Sequence, residues 1–142
     1  MSYRERVAWL SLLTMALTFG PYFTLVATGF FPETALPDLF QLFCYGVTAL
    51  SQGGLLALGH WWLRRRFFSE ATAPLDELDL QIKLRATSSA YAVLLVGMIL
   101  VGVVMPFTDH GWKIVNSALL MIIAAQTVQQ GMIVLAYRRI AE

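Results

Sequence analysis

Four polar residues in one apolar stretch, Asn116, Gln126, Thr127 and Gln130, fall within about a 100° arc when projected at 3.6 residues per turn. Neutral amides and a hydroxyl on one helix face either line a polar path or ligand site, or hydrogen-bond neighbouring helices at about 0.6 to 2 kcal/mol each. Such groups are costly in hydrocarbon without partners, so the stripe is expected to face the other helices, with Gln52 and Ser51 as first partners. It reads as interhelical glue, with a polar path as the alternative. His60 is the one histidine in an apolar run and has the pKa range of a proton relay. It stands beside Trp61, Trp62 and three arginines, however, where membrane-interface residues belong. Cys44 is the single cysteine, so it forms no intramolecular disulfide or multi-cysteine metal site and reads as a small packed hydrophobe. Asp109 and His110 are the nearest thing to a catalytic pair, but they are adjacent on a tight turn that water solvates. No HExxH, GxSxG, phosphate-binding glycine loop or Cys/His cluster is present. The expectation is a protein that is not an enzyme, with no catalytic residue, cofactor or metal.

The elements that carry these residues are four charge-free apolar runs, approximately 7–31, 39–63, 86–107 and 114–137. Each reaches the roughly 20 residues needed to cross a hydrocarbon core about 30 Å thick. Hydrophobic residues make up 58% of the chain and charged residues 13%, too few charges for a soluble domain, where about a quarter is usual. A charge at the centre of a spanning helix costs about 2.5 to 3.5 kcal/mol, which accounts for their exclusion from the runs. The sequence therefore predicts an all-α integral membrane bundle of four transmembrane helices, one domain over 1–142. The first run is too long for the h-region of a signal peptide, about 7 to 15 residues, and reads as a retained span.

Basic residues are segregated. Arg4 and Arg6 precede the first run; Arg64, Arg65, Arg66, Lys83 and Arg85 lie between the second and third; Arg138 and Arg139 follow the fourth. The opposite side holds Lys113 with Glu33, Asp38, Asp109 and His110. By the positive-inside rule both termini and the middle connection are cytoplasmic, which suits a multi-pass protein of the bacterial inner membrane. The net charge of +1 and the absence of a soluble basic module argue against direct nucleic-acid binding.

A short external turn bracketed by Pro32 and Pro37, and a second at Thr108–Gly111, make the runs antiparallel neighbours in pairs. The result is two helical hairpins joined through the connector 64–85. Gly20 and Pro21 sit mid-span in the first helix, where proline frees a carbonyl and favours a kink; Thr14, Thr18 or Thr24 are expected to satisfy freed carbonyls. Ala49, Gly53 and Ala57 repeat every four residues on the second helix, with Gly46, Gly54 and Gly59 as further thin spots, a surface for close approach by an internal neighbour or, alternatively, by a second copy.

The connector begins with Arg64, Arg65 and Arg66, candidates for lipid-headgroup contact or for pairing with the acids that follow. From Pro74 onward it reads as a helix. Acids cluster at its start, Asp79 and Lys83 are spaced four apart, and the helix is expected to continue into the third span, so that it projects two to three turns into the cytoplasm. Leu75, Leu78 and Ile82 share one side of the projection. That stripe packs on the membrane surface or neighbouring helix ends, or else forms a docking face with Asp76, Glu77, Asp79 and Ile82 as candidate partner-binding residues.

The segment Asp76-Glu77-Leu78-Asp79-Leu80-Gln81-Ile82, continuing to Ala90-Tyr91, resembles one in a group of uncharacterised bacterial four-span inner-membrane proteins that read Asp-Glu-Arg-Asp, then Ile, then Ala-Tyr. Gly131 with Tyr137, Arg138 and Arg139 is similar to their ending. Leu78 departs from the pattern, which has arginine there. The resemblance carries no activity with it. It implies a cytoplasmic protein partner such as a transcriptional regulator. Together these readings lead to a non-enzymatic interaction or regulatory membrane protein, its partners the lipid bilayer and a cytoplasmic protein; an oligomeric small transporter or channel subunit is the alternative.

Overall fold

A computed structural model describes residues 2–32 and 38–141 of the chain. Among them the fold is all helical: α1 (Tyr3–Ala27), α2 (Leu39–Arg66), a one-turn α3 (Phe68–Thr72), α4 (Glu77–Ile99) and α5 (Trp112–Ala141). The long helices α1, α2 and α5, together with α4 and its continuation to Phe107, are each long and apolar enough to cross a membrane. The anticipated turn around Glu33 and Pro37 lies outside the described residues.

Helix ends follow local chemistry. Ser2 caps α1 by accepting from the Glu5 N–H at 3.2 Å, and Asp38 caps α2 by accepting from the Phe40 N–H at 2.9 Å. The first apolar run extends to Phe31, but α1 stops at Ala27 because Gly29 takes a left-handed φ of 71°. The Phe30 N–H then bonds the Leu25 carbonyl at 3.1 Å and the Gly29 N–H bonds the Val26 carbonyl at 3.2 Å, closing the helix with a Schellman turn. Pro74 and Leu75 stand outside α4, contrary to the helix start expected at Pro74. Asp76 and Asp79 form a reciprocal capping box that fixes the first turn at Glu77.

Two prolines have different effects. Pro21 is accommodated inside a continuous α1. The threonine hydroxyls of Thr14, Thr18 and Thr24 do bond carbonyls four residues back, but those of Leu10, Thr14 and Gly20 and not the Leu17 carbonyl that Pro21 frees. Pro106 breaks the α-helical ladder of the third span: without its N–H, the backbone passes into a π turn at Leu100–Val104, with the Met105 N–H on the Leu100 carbonyl, and then a 3₁₀ turn at Met105–Phe107.

The main packings are α1 on α2, α1 on α5 and α4 on α5, so the helices stand in the order α2, α1, α5, α4. The two expected hairpins are present, with α1 and α5 as their common seam. Helix α1 supplies much of the core through Ala8, Met15, Phe19 and Tyr22, while Ala86 and Ala90 of α4 and Ala125 and Val134 of α5 complete it. Large apolar side chains such as Leu17, Leu50, Phe43 and Val103 face outward, as lipid-facing residues do. Helix α2 is the least buried of the four.

Close helix approach occurs at Gly59, one of the further thin spots of the second helix, and at Gly97, which the sequence did not mark. Gly53 and Ala57 are exposed, and a Cβ on Gly53 meets nothing within 4 Å, so the Ala49/Gly53/Ala57 face is not the internal contact. The α1–α2 approach is at Gly59, where a Cβ would lie 2.5 Å from Leu10 Cδ2; the α4–α5 approach is at Gly97, where it would lie 2.6 Å from Met121 Cγ and 2.8 Å from Met121 Cβ. Because Met121 Cβ itself is in the way, rotating the thioether does not relieve a larger residue at Gly97. Gly97→Val is expected to lower stability by about 1–3 kcal/mol, and Gly53→Val to change it by less than about 0.5 kcal/mol. Thermal unfolding of the two variants in mild detergent checks this, and equal midpoints would contradict the α4–α5 packing.

Candidate functional site

The chain termini gather at one end of the helices, and the polar side chains there staple three of them together. Asp79, in the first turn of α4, accepts a hydrogen bond from the Tyr137 hydroxyl of α5 and pairs with the Arg4 guanidinium of α1. Glu5, buried near the start of α1, faces Arg138 of α5 at 3.8 Å, and the Arg138 guanidinium also lies over the Trp9 ring at 5.3 Å. The connector is tied to the same place: the Tyr3 N–H donates to Glu70 at 3.1 Å, Arg4 reaches the Pro74 carbonyl at 3.4 Å, and Arg6 stacks on Phe67 at 3.8 Å.

This arrangement separates the four residues read as a docking group. Asp76 accepts from the Glu77 N–H at 2.8 Å as the α4 cap, and Asp79 is occupied by Arg4 and Tyr137. Glu77 is exposed, and Ile82 is half-buried in a groove between α4 and α5. Leu78, Ile82, Met132, Leu135 and Ala136 form the apolar part of that groove, about 330 Å³ in volume, with Arg85 and Arg139 on its walls. The antiparallel pairings Asp79–Tyr137 and Thr87–Gln129 set the register, so Arg85 lies level with Gly131 and Arg139 level with Glu77, roughly two helical turns apart. The arginines in the last turn of α2 behave differently from the expected pairing with connector acids. Arg65 lies over Trp61 at 4.1 Å and Arg66 over Trp62 at 5.2 Å, while Glu70 and Asp79 are engaged by α1; Arg64 is exposed. His60 is exposed as well, with Nδ1 2.9 Å from the Leu56 carbonyl.

At membrane depth the polar stripe of α5 does not act as one face. Asn116 is buried, and its Oδ1 accepts from the Tyr22 hydroxyl of α1 at 2.8 Å. Gln126 and Thr127 are exposed, the Thr127 hydroxyl donating to the Ile123 carbonyl at 2.8 Å, and Gln130 is half-buried. The predicted partners on α2 serve α1 or nothing: Gln52 accepts from Thr18 at 2.8 Å and donates to Thr14 at 3.3 Å, whereas Ser51 is exposed. The reason is the helix order, since α1 stands between α2 and α5. The α5 amide that does cross to a neighbour here, apart from Asn116, is Gln129, which donates to Thr87 of α4 at 2.9 Å.

The other end of the helices, distal to the termini, holds a second cavity of about 500 Å³. Its apolar wall comes from Val26 in the last turn of α1 and from Phe31 and Pro32 beyond it; its polar wall comes from Gln41 of α2, the turn Thr108–His110, and Trp112, Lys113 and Asn116 of α5. Gln41 is 2% exposed and Asn116 9% exposed, so both amides are removed from bulk water. The Trp112 indole N–H is also buried and has no acceptor among the described residues. Asp109 lies 3.9 Å from Lys113 and accepts from the Thr108 hydroxyl at 3.1 Å. Tyr22 anchors the floor, with ring contacts to Phe31 at 6.2 Å and Tyr45 at 6.0 Å. Sequence reasoning missed Gln41, Tyr22 and Trp112. Gln41 was detectable as one of the few amides in an apolar run, but nothing local marked Tyr22 as the partner of Asn116.

Among the described residues no group of three His, Cys, Asp or Glu side chains is arranged to hold a metal ion, and Cys44 is a free, half-buried thiol. Comparison of the chain with protein-family models, with curated proteins and with solved structures gave no match.

The staple at the terminal end has a direct consequence for stability. Removing the Asp79 charge leaves Arg4 and the Tyr137 hydroxyl without their acceptor in a partly buried position, so Asp79→Ala is expected to cost about 1–3 kcal/mol. Glu77→Ala, at an exposed position, should cost less than about 0.5 kcal/mol. Denaturant titration of the two variants in mixed micelles measures the difference, and comparable losses would remove Asp79 from its role as the link between α1, α4 and α5.

Proposed function

We propose that this is a non-enzymatic, multi-pass protein of the bacterial inner membrane that works by docking a soluble cytoplasmic protein at the end where its termini gather. The segregation of basic residues supports both the orientation and the membrane. The observation that carries the docking reading is the α4–α5 groove, an apolar trough whose two guanidinium groups, Arg85 and Arg139, have no acidic partner among the described residues. A trough with this charge pattern fits an apolar segment bearing acidic side chains. Asp76 and Asp79 brace α4 from within, so recognition falls to Glu77, Leu78, Ile82, Arg85 and Arg139. The resemblance of the 76–91 segment to four-span inner-membrane proteins supports a regulatory role, with a transcriptional regulator as the kind of partner it implies. Arg64, Arg65 and Arg66, presented beside Trp61 and Trp62, fit contact with lipid headgroups.

A photo-crosslinker placed at Ile82 in native membranes tests the docking reading. It is expected to capture a soluble protein, and the adduct should disappear in the Arg85→Glu/Arg139→Glu variant while the protein stays in the membrane. Capture of lipid alone, or a protein adduct unaffected by the charge reversal, would overturn it.

One observation favours the alternative of an oligomeric transporter or channel subunit: Gln126 presents its amide outward near the middle of α5, where hydrocarbon offers no partner and a second copy does. On that reading, flux through purified protein in liposomes falls in Gln126→Ala and Gln130→Ala. Absent flux, or flux at the wild-type level in both variants, removes it.

A further inference from the structure

We infer that two copies of this chain associate side by side through α5, with the Gln126 amide of each copy bonded to the Gln126 amide of the other at mid-span. Such a pair uses the outward amide that favours an oligomeric assembly, and it requires neither transport nor docking.

Gln126 stands at the middle of the 30-residue α5, about 20 Å of helix from either end. It is exposed, and among the described residues its amide has no hydrogen-bond partner; the same holds for the half-buried Gln130 one turn further on. Water does not reach that depth, and an unsatisfied amide is costly in hydrocarbon. Thr127, the next residue, is equally exposed but donates its hydroxyl to the Ile123 carbonyl at 2.8 Å. It needs nothing from outside the chain.

The surroundings of Gln126 fit a second helix. Projected at 3.6 residues per turn, Val115, Ile122 and Gln126 fall within about a 40° arc. Asn116, which meets α1, lies about 80° to one side of Gln126, and Met121, which meets Gly97 of α4, about 140° to the other. Gln126 therefore points into the gap between α1 and α4, where Val115 is 44% exposed and Ile122 41%. Val115, Leu119, Ile122 and Gln126 follow one another at four-, three- and four-residue steps, the spacing of a helix–helix seam with the amide at one core position.

The amide and the membrane together specify the occupant. A carboxamide carries both donors and an acceptor, so it is complementary to a copy of itself. The basic residues that orient one copy orient every copy alike, so the α5 helices of two neighbours run parallel and present Gln126 at the same depth. A twofold axis along the membrane normal then brings the two amides face to face, each donating to the other. Lipid tails offer no such group. A different membrane protein would need an amide or hydroxyl at that depth on a matching apolar face, which a second copy supplies by symmetry.

Förster transfer between separately labelled full-length chains in liposomes, measured over a range of protein-to-lipid ratios, tests the pairing. Wild-type chains are expected to associate reversibly, and Gln126→Leu to weaken that association by about three- to thirtyfold. Gln126→Asn, which keeps the carboxamide, should recover part of the loss, and Thr127→Val should leave association unchanged. Gln126 bonds nothing in its own chain, so Gln126→Leu leaves the fold intact. Disulfide trapping in a Cys44→Ala background gives the position independently: Ile122→Cys is expected to yield a covalent dimer on oxidation, and Gly53→Cys on α2 to yield none. Wild-type chains that stay monomeric at every ratio, association unaffected by Gln126→Leu, or trapping through Gly53→Cys and not through Ile122→Cys would overturn the pairing. Neither readout involves flux or a cytoplasmic partner, so failure of the pairing is seen separately from failure of either functional reading.

Discussion

The cost of an unpartnered polar group in hydrocarbon organises this molecule, and α1 is the helix that meets it. Thr14 and Thr18 hold Gln52 of α2 on one side, and Tyr22 holds Asn116 of α5 on the other. Neutral cross-helix hydrogen bonds contribute about 0.6 to 2 kcal/mol each, which is modest as stabilisation. Their larger effect is on choice of neighbour. Helices with apolar surfaces gain little from one apolar partner over another when lipid tails are equally apolar, whereas a buried amide requires the particular helix that carries its donor or acceptor. The row α2, α1, α5, α4 follows from where those amides and hydroxyls sit, and close approach at Gly59 and Gly97 then fixes the spacing on either side of the α1–α5 seam.

The parts of this fold legible in the sequence are those decided by neighbours in the chain. The four spans follow from runs of residues without charge, and the hairpins follow from short connections. Asp38, Asp76 and Gly29 have local jobs that any chain would give them: two carboxylates capping helix starts, and one glycine whose φ of 71° ends α1 four residues before the apolar run does. The projecting start of α4 was visible for the same reason, because acids gather at a helix N-terminus, although the first turn begins at Glu77 and not at Pro74.

What was not legible is which helix each polar face meets. Periodicity assigns a residue to a side of its own helix and says nothing about the neighbour standing there. The stripe on α5 was coherent as a projection, yet Asn116 and Gln126 end in different surroundings because α1 covers only part of that arc. The Ala49/Gly53/Ala57 pattern failed likewise. Small residues permit close approach, but the helix that approaches α2 does so a turn and a half further along, at Gly59. The acids of α4 looked like a surface for a partner; Arg4 and Tyr137, which claim Asp79, lie 75 and 58 residues away in sequence, beyond the reach of local pattern.

These assignments also decide where chemistry can reside. Moving an ion or catalysing proton transfer within the membrane calls for a titratable group held at depth, and such groups are costly there unless paired. The spans hold amides, hydroxyls and tyrosines at depth; Thr14, Thr18, Tyr22, Gln52 and Asn116 join helices, while Thr24 and Thr127 bond their own helix. Charged side chains sit at the two ends and behave differently at each. At the terminal end Arg4, Glu5, Asp79 and Arg138 face one another, which stiffens the junction of α1, α4 and α5 and leaves Arg85 and Arg139 over an apolar trough. At the distal end a cavity is lined by buried amides from two different helices, Gln41 of α2 and Asn116 of α5. Helix α2 enters that cavity through Gln41 and is otherwise the least buried of the four, so the distal cavity lies between the least buried helix and the more buried ones. A bundle constructed this way gathers its charged side chains at the two ends and leaves the interior of its spans to assembly.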